Sequence, residues 1–161
     1  MARRTTGVNA DGISQCSRWI FDLDGTLTRP QHDFDAIRCE LGIPQGQSIL
    51  EYLQALPEAR AAPLYERLDV IEDGLAESVQ PQPGCIRLLE RLAACDISLG
   101  ILTRNSRSNA MRCLDILGVQ NLFDPACVLG RSEAPPKPHP GGILRLLQQW
   151  RCGPGDAVMV G

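Results

Sequence analysis

RWIFDLDGTLT, residues 18–28 of a 161-residue chain, contains the pattern from which the architecture follows. Residues 18–23 are a short apolar run rich in aromatic and β-branched side chains, and Asp24 and Gly25 end it abruptly. Such a run is typical of a buried strand that meets a loop. We therefore predict a first strand here, with Asp22 and Asp24 at its carboxyl end.

Three further runs of the same kind lie downstream, separated by helical patterns. The runs cover residues 97–102, 126–129 and 157–160. Short, continuous apolar runs are the pattern of a parallel sheet that is buried on both faces. Apolar residues at helical spacing follow Gly84 and precede Gly118, and a further helix is predicted over residues 141–150. This alternation predicts a doubly wound, mainly parallel α/β core of the Rossmann-like type.

Residues 29–82 interrupt the alternation, because they are too long for a single crossover connection. Their apolar residues have helical spacing over residues 34–41, 48–56 and 63–79. We place Pro63 in the first turn of the last helix, since a proline inside a helix removes a hydrogen bond and causes a clash. The prediction is a core domain of residues 18–28 and 83–161, a helical cap over residues 29–82, and a disordered extension over residues 1–17.

Composition argues against nucleic-acid and membrane partners. Sixteen basic and 19 acidic residues give a formal net charge of -3, so no polyanion-binding surface is indicated. The apolar runs are too short to cross a bilayer. The seven cysteines form no C-x-x-C pair, which fits a reducing compartment. We expect a cytoplasmic protein with a small-molecule partner, and the oligomeric state stays open.

Asp22 and Asp24 are candidates for a metal site. Residues two apart in a strand point to the same side, so the two carboxylates start on one side of the active edge of the sheet. A cation would relieve their repulsion, and Mg²⁺ prefers hard oxygen ligands, using one or two carboxylates with waters and a phosphate. The alternative is an acidic turn with no function.

Two later segments favour a phosphate site. Thr103, Arg104 and Asn105 follow the second predicted strand and offer a hydroxyl and backbone N–H groups. In APPKPHP, residues 134–140, prolines flank Lys137 just before a helix and restrict its freedom. We predict that Thr103 and Arg104 bind phosphate, Arg104 through its backbone N–H or its side chain, and that Lys137 is a third phosphate-binding candidate.

DLDGTLT, ILTRN and PPKPHPGG, in this order, resemble the first three motifs of the haloacid dehalogenase superfamily, and most closely its phosphoglycolate phosphatase-like branch. The resemblance implies that Asp22 is the nucleophile that forms an aspartyl-phosphate and that Asp24 is the general acid and base. It also implies that Thr103 binds the phosphoryl oxygens and that Lys137 neutralises Asp22 and the transferring group.

The same resemblance implies a Mg²⁺ cofactor. A carboxylate oxygen of Asp22, the backbone carbonyl of Asp24 and an acidic residue of a fourth motif would hold it. The sequence ends at Gly161, before that motif, so we expect a core that is incomplete at its C-terminus, marginally stable or self-associating, and without measurable magnesium-dependent phosphatase activity. Residues 29–82 match the position of a C1-type cap, which closes over the site and selects the leaving group.

The expected function is a magnesium-dependent phosphatase for a small phosphate monoester, with phosphoglycolate favoured by resemblance alone. A phosphomutase of the β-phosphoglucomutase type is one alternative, because it uses the same aspartyl-phosphate. A catalytically silent phosphate-binding module is another, because the fourth motif is missing. We interpret His32 as a polar surface residue at a cap hinge rather than as a substrate contact.

Overall fold

The computed structural model describes residues 16–161, so the predicted extension over residues 1–17 lies almost entirely outside the described residues. Four parallel strands form one sheet in the order β3-β2-β1-β4. They are β1 (Arg18–Phe21), β2 (Ser98–Leu102), β3 (Val128–Leu129) and β4 (Ala157–Val160). β1 lies between β2 and β4, so the residues that follow it come out at the middle of the sheet edge.

Helices cover both faces of this sheet. They are α4 (Cys85–Ala94), α5 (Arg107–Ile116) and α6 (Gly141–Trp150). Buried residues of α4 and α5 share an apolar cluster with Phe21 and Ile101, whereas Leu146 of α6 packs in a second cluster with Ile20 and Leu102. The predicted doubly wound α/β fold is confirmed.

β3 is shorter than predicted, because a 3-10 helix replaces its first half. Residues Pro125–Cys127 form this helix, and the Asp124 carboxylate accepts a hydrogen bond from the Ala126 N–H at 2.9 Å. A proline fixes its own φ near the helical range and an aspartate caps the turn, so both favour a turn over a strand at this point. The apolar run at residues 126–129 did not reveal the change.

The segment between β1 and α4 folds into three helices with a core of their own. They are α1 (Phe34–Leu41), α2 (Ile49–Gln54) and α3 (Glu58–Ala76). Their shared cluster contains Ile37, Leu41, Ile43, Leu50, Leu53 and Leu68. Asp33 caps the start of α1, since its side chain accepts from the Ala36 N–H at 3.0 Å, and Gly42, with a φ of 67°, caps its end. The predicted helices are therefore present, and we call this unit the cap.

The predicted position of Pro63 is wrong. α3 begins at Glu58, so Pro63 lies inside the helix instead of in its first turn. The missing N–H removes one hydrogen bond near the start of a 19-residue helix, and burial of Ala61, Leu68 and Ala76 compensates for that loss. No helix in residues 16–161 is long and apolar enough to cross a membrane.

The chain leaves and re-enters the core side by side. Thr28 and Pro81 form an antiparallel bridge, the Arg29 N–H donates to the Gln80 carbonyl at 2.8 Å, and the Gln82 N–H donates to the Leu27 carbonyl at 2.8 Å. The cap is thus attached just beyond the carboxyl end of β1. The domain boundaries near residues 28 and 83 stay a prediction.

Candidate active site at the carboxyl ends of the strands

Asp22 lies directly beyond β1, in the middle of the sheet edge. Its N–H donates to the Val160 carbonyl at the end of β4 at 2.9 Å, and its Oδ1 accepts from the Leu23 N–H at 2.8 Å. Gly161 approaches closely, since a Cβ placed there would lie 3.1 Å from the Cβ of Asp22. Pairing with β4 therefore fixes the Asp22 backbone, and the Leu23 N–H orients its carboxylate.

Lys137 reaches the same carboxylate from the loop before α6. Its Nζ lies 2.6 Å from Asp22 Oδ1, and the two side chains are 22% and 26% exposed. The distance is that of a charge-assisted hydrogen bond. The structure thus brings together Asp22 and Lys137, which the sequence placed in separate motifs, and leaves them accessible to a small ligand.

Asp24 lies in a different electrostatic environment. Burial raises the pKa of its carboxyl above the ordinary value, and the neighbouring Asp22 carboxylate raises it further. His32, Asn105 and Lys137 lower this pKa without cancelling the effect of burial. A carboxyl that keeps its proton to higher pH is suited to donate it to a leaving group.

His32 is not the surface residue that we expected. Its Nδ1 lies 3.5 Å from Asp24 Oδ1, and its side chain is only 10% exposed. The imidazole stacks on the Phe34 ring at the start of α1, with centroids 5.5 Å apart and an interplanar angle of 14°. The expectation is wrong because this stacking holds the ring against Asp24 instead of in solvent.

The loop after β2 is held by hydrogen bonds, and Thr103 and Asn105 in it are buried. Thr103 donates its N–H to the Leu129 carbonyl at 3.0 Å, and its Oγ1 accepts from the Asn105 N–H at 3.2 Å. The Asn105 amide donates to Asn109 Oδ1 at 3.1 Å. These bonds hold Thr103 at the active edge of the sheet, and its contact with phosphate stays a prediction.

Arg104 links the second and third motif segments. Its guanidinium donates to the backbone carbonyl of Lys137, while most of the side chain is exposed. Arg104 can therefore position the loop that carries Lys137. Its predicted contact with phosphate is not tested by this geometry.

Sequence reasoning missed an ion pair that joins the cap to the core. Arg131, in the loop after β3, donates from Nη1 to both carboxylate oxygens of Glu72 in α3 at 2.9 Å, and its Nη2 pairs with Asp69. The side chains of Arg131 and Glu72 are only 7% and 5% exposed. Burial raises the pKa of Glu72, while Arg131 and the Ser106 N–H lower it. No local pattern could have revealed this contact, because the pair is 59 residues apart in sequence.

A cavity of about 310 Å³ lies between the cap and the core. Its lining consists of His32, Phe34, Ile37, Arg38, Ser48, Ile49, Leu50, Leu68, Glu72, Arg104 and Asn105. His32 and Asn105 also contact the Asp24 carboxyl. The cavity therefore adjoins the site on the side of Asp24, and we call it the cap cavity.

The acidic residues at the sheet edge fit part of a magnesium site. Residues 16–161 contain no group of three or more histidine, cysteine, aspartate or glutamate residues that could hold a metal. Lys137 and the Leu23 N–H occupy Oδ1 of Asp22, whereas Oδ2 lies 3.9 Å from the Cβ position of Gly161, at the end of β4. One carboxylate and one backbone carbonyl suit Mg²⁺, which keeps several waters and binds substrate phosphate.

Comparison with known proteins establishes the class of this molecule. The chain matches the haloacid dehalogenase-like hydrolase family over residues 33–161 and belongs to that family. A haloacid dehalogenase-like hydrolase domain-containing protein of Arabidopsis thaliana is 32% identical over 155 residues, which cover 88% of this chain and 61% of that protein.

Two further proteins are similar to this chain, one in sequence and one in fold. An uncharacterized hydrolase of Saccharomyces cerevisiae is 28% identical over 153 residues, which cover 93% of this chain and 70% of that protein. The solved structure of a predicted phosphoglycolate phosphatase from Haemophilus somnus superposes with a TM-score of 0.67 at 22% identity, covering 91% of this chain and 77% of that chain. The molecule is therefore a haloacid dehalogenase-like hydrolase, and it spans 61% of its plant relative.

Proposed function

We propose that this protein is a magnesium-dependent phosphatase that hydrolyses a small phosphate monoester through an aspartyl-phosphate on Asp22. The observation that carries the proposal is the 2.6 Å contact between Lys137 and Asp22, next to an Asp24 carboxyl whose pKa is raised. A carboxylate is a known covalent catalyst, and phosphoryl transfer depends mainly on positioning and charge neutralisation.

The first half-reaction transfers the phosphoryl group to the protein. An oxygen of Asp22 forms a bond to phosphorus while the bond from phosphorus to the substrate alcohol breaks. Protonated Asp24 donates its proton to the departing alkoxide, so the alcohol leaves neutral. The Lys137 ammonium offsets the charge on Asp22 and on the transferring group.

The second half-reaction returns the protein to its starting state. Asp24, now ionised, takes a proton from a water molecule, and the water oxygen attacks phosphorus. The bond between phosphorus and Asp22 breaks, inorganic phosphate is released, and Asp24 is protonated again. Water is thus the final acceptor, which distinguishes a phosphatase from a phosphomutase.

The remaining site residues position the phosphate. We assign Thr103 and Arg104 to the phosphoryl oxygens, Thr103 through its hydroxyl at the sheet edge and Arg104 through the guanidinium nitrogens that do not bind the Lys137 carbonyl. Mg²⁺, held by the Asp22 carboxylate and the Asp24 backbone carbonyl, would neutralise phosphate charge when bound. The proposed partner is a small phosphorylated metabolite in the cytoplasm, with no nucleic-acid or membrane partner.

The proposal is tested by measuring phosphate release from p-nitrophenyl phosphate and from phosphoglycolate, with Mg²⁺ and with excess chelator. We expect turnover that requires the metal when the acidic residue of a fourth motif is present as well. An isomerised sugar phosphate without net phosphate release would indicate a mutase instead. Binding of phosphate with no turnover of any monoester in the presence of Mg²⁺ would contradict the proposal and favour a silent binding module.

A further inference from the structure

The cap cavity bears on which alcohol the substrate contains, whereas the catalytic residues bear only on the reaction. Phosphate binds at the sheet edge, so the leaving alcohol of a monoester must extend away from Asp22, past Asp24. His32 and Asn105 lie between Asp24 and the cap cavity, because each contacts the Asp24 carboxyl and also lines the cavity. The leaving alcohol would therefore extend into the cap cavity.

Apolar atoms make up most of the surface area that lines the cap cavity. Ile37, Leu50 and Leu68 of the cap contribute buried aliphatic side chains, and Phe34 and Ile49 complete the apolar part. Apolar surface of this kind favours an apolar occupant, since the free energy of transfer from water scales with the buried area.

Arg38 and Glu72, two charged residues of the cap cavity, already have partners in the structure, and the third, Arg104, is assigned to the phosphoryl oxygens. Arg38 donates to Asp35, to the side chain of Gln45 and to the carbonyl of Gln47. Glu72 pairs with Arg131. A carboxylate deep in the cavity would have to compete for these groups and would lie near Glu72, so an acidic alcohol such as glycolate fits poorly.

One wall of the cavity is aromatic and incompletely covered. Phe34, stacked on His32, remains 55% exposed. The Nε2 atom of His32 is buried and has no hydrogen-bond partner within residues 16–161. An occupant that covers the Phe34 ring would bury aromatic surface that solvent now contacts.

We infer that the cap cavity binds the alcohol part of the substrate and that this part is mainly apolar and about the size of an aromatic ring. A volume of about 310 Å³ lies at the lower end of the range for sites that enclose organic ligands, roughly 300–1,000 Å³. Glycolate would leave most of it unfilled. The inference rests on the proposed function and names its substrate class.

The test compares phenethyl phosphate with ethyl phosphate and phosphoglycolate. The first two are esters of unactivated primary alcohols, so they differ mainly in the aromatic ring. We expect kcat/KM for phenethyl phosphate to exceed that for ethyl phosphate and for phosphoglycolate by at least about tenfold, which is the order expected for burying a ring. Equal values, or a preference for phosphoglycolate, would overturn the inference and leave the proposed phosphatase intact.

A pair of variants localises the preference. Phe34→Ala should reduce the ratio of kcat/KM for phenethyl over ethyl phosphate by about threefold or more, because it removes the aromatic wall. Leu144→Ala is the matched control, since Leu144 is 56% exposed but lies on α6, outside the cap cavity. It should leave the ratio unchanged. An unchanged ratio in Phe34→Ala would overturn the assignment of the ring to this cavity.

Calorimetric binding separates the inference from the proposed function. If no monoester is hydrolysed with Mg²⁺, the proposed phosphatase fails. Tighter binding of phenethyl phosphate than of ethyl phosphate to the parent protein, weakened in Phe34→Ala, would still support the cavity as an apolar binding site. Equal binding of the two esters would overturn the inference as well.

Discussion

Two ion pairs in different regions of the molecule, each between one carboxylate and one basic side chain, have different roles. Asp22 and Lys137 meet at the sheet edge at 2.6 Å with 26% and 22% of their side chains exposed. Glu72 and Arg131 join the cap to the core at 2.9 Å with only 5% and 7% exposed. The open pair can admit a phosphate, whereas the closed pair has its hydrogen-bonding groups satisfied by protein. Accessibility therefore distinguishes the pair suited to chemistry from the pair that positions the cap.

Removing the nucleophile should have the largest effect. We expect Asp22→Asn to reduce phosphatase turnover to background, because an amide cannot form the aspartyl-phosphate. Asp115→Asn, at an exposed position on α5, is the matched control and should retain parental activity. Turnover of Asp22→Asn near the parental rate, with contaminating phosphatase excluded, would refute the assignment of Asp22.

The closed pair should matter most for stability. Arg131→Met leaves Glu72 buried without its main partner, so the free energy of unfolding in urea should fall by about 3–5 kcal/mol. The control is Arg112→Met: Arg112 of α5 pairs with Glu77, directly after α3, so this pair also joins the core to the cap, but its side chains are 45% and 71% exposed. An exposed pair is worth about 1 kcal/mol or less.

Equal losses in Arg131→Met and Arg112→Met would remove the distinction between the closed pair and a surface pair. The double variant Arg131→Met with Glu72→Leu provides a second check. It should recover most of the lost stability, because it removes both buried charges together. A double variant as unstable as Arg131→Met would contradict the argument from burial.

The open pair should matter for rate more than for folding. Lys137→Ala should lower kcat/KM by about 10²-fold, the range for losing one preorganised charge, which corresponds to about 2.7 kcal/mol. Arg91→Ala, at an exposed position on α4, should have no such effect. A decrease of less than threefold in Lys137→Ala would show that the lysine does not act on the reacting group.

Asp24 should show a smaller kinetic effect that depends on the leaving group. With p-nitrophenyl phosphate, Asp24→Asn should still release p-nitrophenol in a first turnover, because a good leaving group needs little proton donation. With an alkyl phosphate the loss should be larger. Rapid-mixing assays on both esters measure the difference, and an equal loss with both would argue against Asp24 as the acid.

The smallest expected effect is a pH-dependent difference in melting temperature between Asp24→Asn and the parent. The folded-state pKa of Asp24 is raised above 3.8 by burial, so the native state holds this proton to higher pH than the unfolded chain. The contribution of Asp24 to stability is thus greatest below that value and is lost as pH rises through the folded pKa. Asp24→Asn cannot ionise, so its melting temperature relative to the parent should be higher at pH 7 than at pH 4. The same difference at both values would contradict the raised pKa.

Local patterns in the sequence were enough for the strands and for the acidic edge. A short, continuous apolar run such as residues 18–23 is typical of a strand in a buried parallel sheet, and Gly25, with a φ of 77°, marks the turn that follows it. The Asp22 and Lys137 side chains were expected in one site because their segments resemble the first and third motifs of the haloacid dehalogenase superfamily. The helical insertion was predicted as well, although Pro63 was placed in the wrong turn.

Contacts between the cap and the core could not be predicted in this way. His32 was assigned to the surface because nothing in its neighbourhood distinguishes a solvated histidine from one stacked on Phe34 against Asp24. The Arg131–Glu72 pair joins a core loop to a cap helix. No sequence pattern in either segment indicates that it contacts the other. Both features depend on how the cap is seated on the sheet.

Some features could be predicted from the sequence and others could not, because they depend on interactions between residues at different separations along the chain. Steric and hydrophobic preferences among near neighbours account for the strand and helix patterns, the glycine turns and the order of the polar motifs. The order of residues 18–161 alone was therefore enough to predict the α/β architecture and the location of the active edge. The burial of His32, the raised pKa of Asp24, the closed Arg131–Glu72 pair and the volume of the cap cavity arise where segments far apart in sequence pack together. Desolvation and pairing depend on that packing, so only the tertiary structure decides them.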